Sequence, residues 1–334
     1  MNETQYVLSL SYGKDSLACL GAIEKMGLPL HRIVHAEVWA TDDIPADLPP
    51  MVDFKKKADK IIKDRWGIEV EHIYATRKCS QSINVERERK LTYERQFYTV
   101  RQLANGGECI YGFPCVRGAW CSSRLKTDIL NATRKVNLRK DFLSEISQGN
   151  TQRPNLRFCD KTIAVLHRRT KAKTVTDVST KFLDCATERG AGANIVQYLG
   201  IAADEPKRIE RHKKNSNVIL PLVEIGWNEK YCRKWCEEND LLSPIYTSSA
   251  RGGCWFCHNQ SIEQLRLLRK NYPDLWQLLL KWDKDSPVTF HADGHTVHDF
   301  DRRFSMEDLG LVPADSTFRW AMLDSDFQQF RMLF

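Results

Sequence analysis

The sequence predicts an α/β protein built on a parallel sheet. Short apolar, β-branched runs alternate with stretches of helical periodicity, the first such pair is joined by a tight polar turn, and no internal repeat or low-complexity tract interrupts the alternation. Strands separated by helices pair in parallel, because each crossover brings the chain back to the same end of the sheet.

The elements follow in chain order. Residues 6–10 read as the first strand, and Leu17, Ala18, Leu20 and Ile23 fall at helical spacing behind it, with Gly27 closing the helix. Residues 33–39 read as a second strand. Residues 51–66 read as a helix ended by Gly67, whose row of lysines is a solvated face. Residues 68–73 alternate as a third strand, and the charged stretch 85–103 reads as a helix before Gly106 and Gly107. Strands are expected again at 195–201 and 218–223. A helix over 228–240 carries Cys232 and Cys236 on one face, a spacing that suits core packing. Ser261 and Gln264 form a capping box for a helix toward Trp282, which Pro273 interrupts.

Composition limits the function classes. A chain of 334 residues can bury a large core. No apolar run is long enough to span a bilayer, and the first residues lack signal-peptide character, so the expectation is a soluble, cytoplasmic protein with no membrane partner. In that compartment the 11 cysteines point to metal or catalytic roles for some, rather than to a disulfide framework. The net charge of +7 is concentrated: residues 127–195 hold 13 Lys/Arg against 7 Asp/Glu, which leaves the rest of the chain near neutrality. Such a segment is either a polyanion-binding surface, densest at Arg168, Arg169, Lys171 and Lys173, or a solvated elaboration.

The chemistry is concentrated in a few motifs. Ser11-Tyr12-Gly13-Lys14-Asp15-Ser16 joins the first strand to the first helix. A turn of that kind aims backbone N–H groups and the positive end of a helix dipole at one point, which favours phosphate. It is not a Walker A loop. Further on stand Tyr111-Gly112-Phe113-Pro114, then Trp120-Cys121-Ser122-Ser123-Arg124-Leu125-Lys126, and finally Gly253-Cys254-Trp255-Phe256-Cys257. A Cys-x-x-Cys in a Gly-rich turn presents two thiolates on one side, a geometry suited to zinc or an iron–sulfur cluster.

These motifs together resemble those of the N-type ATP pyrophosphatases, the PP-loop superfamily, in the branch that holds PAPS reductases, ATP sulfurylase small subunits and DNA-phosphorothioation adenylating enzymes. The first loop is similar to that family's Ser-Gly-Gly-x-Asp-Ser, with Tyr12 where Gly is usual. The second motif is similar to its Gly-Phe-Pro…Trp-Cys-Thr-x-x-Leu-Lys. Residues 201–208 are similar to a Gly-Ile-Arg-x-Asp-Glu-x-x-Arg segment, with Ala202 in place of Arg. The resemblance covers about residues 5–126 and 195–260, and implies a Rossmann-like nucleotide hydrolase core of 1–126 plus 195–260, a basic, partly helical insertion at 127–194 and a helical region at 261–334.

The resemblance implies that ATP is split between its α and β phosphates and that an acceptor, a nucleic acid among the options, is activated for sulfur transfer. Ser9, Ser11, Tyr12, Gly13, Lys14, Asp15, Ser16, Arg124 and Arg208 would bind nucleotide. Asp15 would organise Mg²⁺, with Asp42 and Asp43 as weaker candidates. Lys14, Asp15, Cys121 and Lys126 are the expected catalytic set. Cys121, Cys254 and Cys257, with Cys115 able to add a fourth ligand, would hold a [4Fe–4S] cluster; zinc is the alternative, and buried unligated cysteines the plain one. A sulfonucleotide reductase is a second functional reading, weakened because the 77 residues after Cys257 contain no further cysteine. A non-enzymatic nucleotide- or nucleic-acid-binding module is the third.

Overall fold

The computed structural model describes residues 4–81, 85–114, 119–130, 195–213, 215–248 and 253–324. Cys115 and nearly all of the basic segment, including Arg168, Arg169, Lys171 and Lys173, lie outside the described residues. Two compact bodies are formed. One takes in the described residues of Met1–Ala36, Pro50–Ile73 and Lys126–Tyr246; the other takes in those of Glu37–Pro49, Tyr74–Leu125 and Thr247–Phe334.

The first body is α/β, built on a five-stranded, all-parallel sheet. Its strand order is Val70–Tyr74, Arg32–Glu37, Gln5–Ser9, Ile195–Tyr198, Val218–Ile219. Leu8 pairs with Ile33 on one side and with Tyr198 on the other, so the first strand is central and fully buried there. The helix Lys14–Lys25 has Asp15 in its first turn and Lys25 in its last, each matched to the dipole end it occupies. It ends where Gly27 takes φ +63°, a left-handed position that costs glycine nothing.

Residues 16–23 of that helix are buried all round, because Glu229–Glu238 covers the side away from the sheet. The approach is close: a Cβ on Gly21 would stand 2.3 Å from the Trp235 ring. Leu17, Leu20, Ile23, Phe54, Ile62, Trp235, Cys232 and Cys236 form one core cluster. Each large aliphatic side chain buried there contributes about 1.5–3 kcal/mol of transfer free energy.

The expected strand at 218–223 stops at Ile219. Pro221 has no N–H to donate to a ladder and opens the short helix Pro221–Glu224 at its first position. The lysine row of Pro49–Trp66 is corrected at one point: Lys55 is buried, on the same inward side as Met51, Phe54, Ala58 and Ile62.

The second body has a different make-up. The expected helix at 85–103 is replaced by a strand, Val85–Lys90, paired antiparallel with Thr76–Gln81, then a single helical turn, Tyr93–Phe97, then a short hairpin of Val100–Gln102 with Glu108–Ile110. The stretch has alternating charge but no apolar stripe at i, i+3 and i+4, so nothing local holds a long helix and cross-strand pairing decides. Thr92 caps the turn by accepting from the Arg95 N–H at 3.2 Å.

Tyr93, Phe97, Phe113, Trp120, Trp255, Phe256, Trp282 and Phe290 make a buried aromatic core. The Ser261–Gln264 capping box is present, and Pro273 ends one helix, Ile262–Asn271, and begins the next, Pro273–Asp285. Among the described residues no helix is long and apolar enough to cross a membrane.

Candidate functional site

The loop that leaves the first strand lies where the sheet changes direction. Chain order runs outward from Gln5–Ser9 through Arg32–Glu37 to Val70–Tyr74, then resumes on the other side with Ile195–Tyr198. Crevices in open parallel sheets form at such switch points, beyond the carboxyl ends of the strands. Ser11, Tyr12, Gly13, Lys14, Asp15 and Ser16 are brought together there.

The loop is held by its own hydroxyls. Ser11 donates both its N–H (3.2 Å) and its hydroxyl (3.0 Å) to Ser16 Oγ, and Ser16 donates to the Gly13 carbonyl at 3.0 Å. Gly13 is the N-cap and has no side chain to satisfy the first-turn N–H groups. Tyr246 partly replaces that cap, its phenolic oxygen accepting from the Lys14 N–H at 3.1 Å. From the other side, Gly200 presses on the loop: a Cβ there would lie 2.5 Å from Ser16 Cα and 2.6 Å from the Asp15 carbonyl oxygen. Ser9 is placed differently, inside the sheet, where its hydroxyl accepts from Gln197 at 2.6 Å.

Charge is concentrated just beside the loop. Lys14 Nζ bonds both Asp15 carboxylate oxygens, at 2.8 and 3.0 Å, and Glu229 at 3.1 Å. Burial pulls the Lys14 ammonium down, but the hydrogen bonds and charges of Asp15 and Glu229 outweigh it and hold it above its ordinary value. Burial raises the Asp15 carboxyl, Lys14 draws it back, and the charges of Glu229 and Glu205 add to the rise, so it rests above the usual carboxylate value. One ammonium therefore serves a partly desolvated carboxylate that also feels two other negative groups. A hard divalent cation is the kind of ligand that would relieve this excess, with Asp15 and Glu229 as oxygen donors.

Tyr12 is held in its place by burial and by a polar network. Tyr12 takes φ +55°, a left-handed conformation that costs a non-glycine residue about 1–2 kcal/mol, yet its ring is fully buried. Its phenol donates to Asp59 and lies 3.1 Å from His72 Nε2, and His72 in turn bonds Asp59 at 2.8 Å. Beside them His35 Nδ1 bonds the Leu10 carbonyl at 2.8 Å, which fixes Nδ1 as the protonated nitrogen; Nε2 then accepts from Lys55 Nζ at 2.7 Å. Lys55 also sits 5.3 Å from the Tyr12 ring centroid.

Sequence reasoning missed His35, Lys55, Asp59 and His72. The one available signal was a histidine at the centre of an apolar strand; Lys55 and Asp59 are hidden among the charges of their helix.

The remaining expected residues are distributed as follows. Arg208 bonds Glu205 through one guanidinium nitrogen, at 2.8 Å to each carboxylate oxygen, while Glu205 also accepts from the Ala202 N–H. Arg124 belongs to the second body, where it bonds the Tyr111 hydroxyl at 2.8 Å and stacks on that ring at 4.6 Å. Lys126 is exposed in the turn Ser123–Thr127. Asp42 is ion-paired with Arg95 at 2.5 Å.

Cys121, Cys254 and Cys257 are all in the second body, none in a disulfide. The Cys257 N–H donates to the Cys254 carbonyl at 3.1 Å, a tight turn anchored by Trp255, whose backbone and indole N–H groups donate to the Ala46 and Pro45 carbonyls at 2.9 Å each. Cys121 follows Trp120, whose indole donates to the Gly112 carbonyl at 3.3 Å. The two cysteine-bearing segments meet at Tyr93: its ring centroid is 4.1 Å from that of Phe256 and 4.9 Å from that of Trp120. Burial pushes the Tyr93 hydroxyl well above its ordinary value, and Cys121, Cys257 and Cys254 add to that effect. Among the described residues Tyr93 Oη is buried with no hydrogen-bond partner.

Among the described residues Cys121, Cys254 and Cys257 do not bring their three sulfurs within 4.8 Å of one another, which is wider than the ligands of one tetrahedral zinc stand. Cys232 and Cys236, by contrast, are core residues: both are fully buried, and burial raises the Cys232 thiol to about 12. Compared with known proteins, the chain matches no protein-family model, no curated protein and no solved structure.

Proposed function

We propose that this protein is an adenylating enzyme that cleaves ATP to AMP and pyrophosphate and so activates an acceptor for sulfur transfer. The observation that carries this reading is the Ser11–Ser16 loop, seated at the switch point of a parallel sheet and ending in an N-cap glycine beside a Lys14–Asp15–Glu229 charge cluster. Cleavage at the α phosphate requires pyrophosphate to leave with its charge neutralised. The first-turn N–H groups and the Lys14 ammonium supply fixed positive charge for that group. Asp15, with Glu229 in reach of the same ammonium, would hold Mg²⁺, which supplies further charge neutralisation when bound.

Lys14 is freed for phosphate only if a cation takes over Asp15, so nucleotide and metal should bind together. The sulfur-transfer half of the reading rests on the sequence resemblance and on Cys121, Cys254 and Cys257 all belonging to the second body. Asp15→Asn tests the first half. Pyrophosphate release should fall to background while the variant unfolds as cooperatively as the native protein. Release of ADP and phosphate by the native protein would refute the assignment.

A further inference from the structure

We infer that His35, Glu37 and His72 form a binding site for a divalent transition metal of the zinc class, separate from the oxygen donors Asp15 and Glu229. The inference rests on no part of the nucleotide reading. One ligand atom from each of the three residues lies within 4.8 Å of the others. Among the described residues they are the one group of His, Cys, Asp or Glu side chains, three or more, that meets this distance.

The sheet brings them together. His35 and Glu37 stand two residues apart on the strand Arg32–Glu37 and so share one face, and His72 lies on the neighbouring strand Val70–Tyr74. Zinc bonds of about 2.0–2.2 Å to nitrogen and oxygen put tetrahedral ligands roughly 3.3 Å apart. An inward shift of at most about 1.5 Å therefore closes the group on one ion.

Both imidazoles are already oriented as ligands. His35 Nδ1 donates to the Leu10 carbonyl at 2.8 Å, which keeps the lone pair of the ring on Nε2. His72 Nε2 donates to the Asp59 carboxylate at 2.8 Å, which leaves the lone pair of the neutral ring on Nδ1. Asp59 is itself held by the Tyr12 phenol. Metal-ligating histidines almost always give their other N–H to a carbonyl or carboxylate in this way.

A positive group already stands at the ligand atoms. The buried Lys55 ammonium is 2.7 Å from His35 Nε2, the atom that would meet the ion. The side chains are thus arranged around a cation, and the flexible stem of Lys55 lets the ammonium give way to a metal. Two imidazoles and a carboxylate suit zinc, cobalt(II) or iron(II), whereas magnesium takes oxygen donors. Three protein ligands leave the fourth position of a tetrahedral ion open to water or a substrate group.

The test uses the full chain, stripped with chelator and titrated with cobalt(II), with zinc as competitor. Expected is a tightly held cobalt with visible ligand-field bands, displaced by zinc and left in place by excess magnesium. His35→Gln and His72→Gln should each weaken its binding roughly 100-fold or more, since losing a ligand costs more than the 10–100-fold of losing an outer partner.

Native protein that takes up neither cobalt nor zinc would overturn the inference, and so would equal affinity in His72→Gln. Displacement by magnesium would assign the ion to the Asp15 carboxylate instead. Should the variants fail to fold, X-ray absorption of zinc-loaded native protein decides. A nitrogen and oxygen shell with imidazole scattering is expected, and a shell of sulfur alone refutes the site.

Discussion

Gly200→Ala is the sharpest probe of the loop. Nothing in the conformation of Gly200 itself demands glycine; the demand comes from space. The added methyl carbon would lie 2.5 Å from Ser16 Cα, 2.6 Å from the Asp15 carbonyl oxygen and 2.7 Å from the Ser16 nitrogen, all of them backbone atoms. Carbon atoms settle at about 3.5–4 Å, so the loop and the residues after Ile195–Tyr198 must part by roughly 1 Å. Overpacking of this kind costs about 1–3 kcal/mol. The functional cost should be larger in proportion, since a displacement of about 1 Å in a positioning element can lower a rate roughly 100-fold.

The assay is pyrophosphate release with calorimetric titration of Mg²⁺·ATP, alongside urea denaturation. Gly27→Ala is the control: it forces alanine into φ +63° but its Cβ meets nothing within 4 Å, so it should lose about 1 kcal/mol of stability and no nucleotide affinity. A Gly200→Ala variant that binds and turns over ATP as the native protein does would show that the loop is not the nucleotide site.

Two further outcomes follow from the same geometry. Asp15 is held above its ordinary carboxylate value, so Mg²⁺·ATP affinity should rise with pH through that raised value and the rise should vanish in Asp15→Asn; because the folded value exceeds the unfolded one, native stability should also decline as pH climbs through the same window, and the opposite trend in urea midpoints would contradict the assignment. Tyr12→Phe should lose about 1.5–3 kcal/mol by leaving Asp59 without its phenol donor, and Tyr12→Gly should lose more, because deleting a buried ring (about 3–5 kcal/mol) outweighs the relief of left-handed strain (about 1–2 kcal/mol); a glycine variant as stable as native protein would remove the phenol network from the account.

Features set by neighbours in the chain were legible before any coordinates. The strand, polar turn and helix of residues 5–25 follow from an apolar run, a glycine at the N-cap and helical spacing behind it. Asn228, Ser261 and Pro273 mark helix ends because capping and the missing proline N–H act within three residues. The Cys254–Cys257 turn was visible for the same reason. The run 85–103 was misread because its charges are compatible with helix or strand, and the pairing partner Thr76–Gln81 is what selects the strand.

The chain's local order thus determined a parallel α/β core, its phosphate-favouring loop and its cysteine pair. Only the tertiary structure decided that Tyr12 occupies a left-handed position with its phenol reaching Asp59 and His72, 47 and 60 residues away. It also decided that Lys55 turns inward to His35, and that Tyr93 packs between Trp120 and Phe256, the chain neighbours of Cys121 and Cys257. The physical reason is the same in each case. A backbone turn is fixed by the dihedral and hydrogen-bond preferences of adjacent residues, whereas a buried polar group is defined by which distant partners enclose it, and the free energy of that enclosure leaves no periodic mark on the sequence.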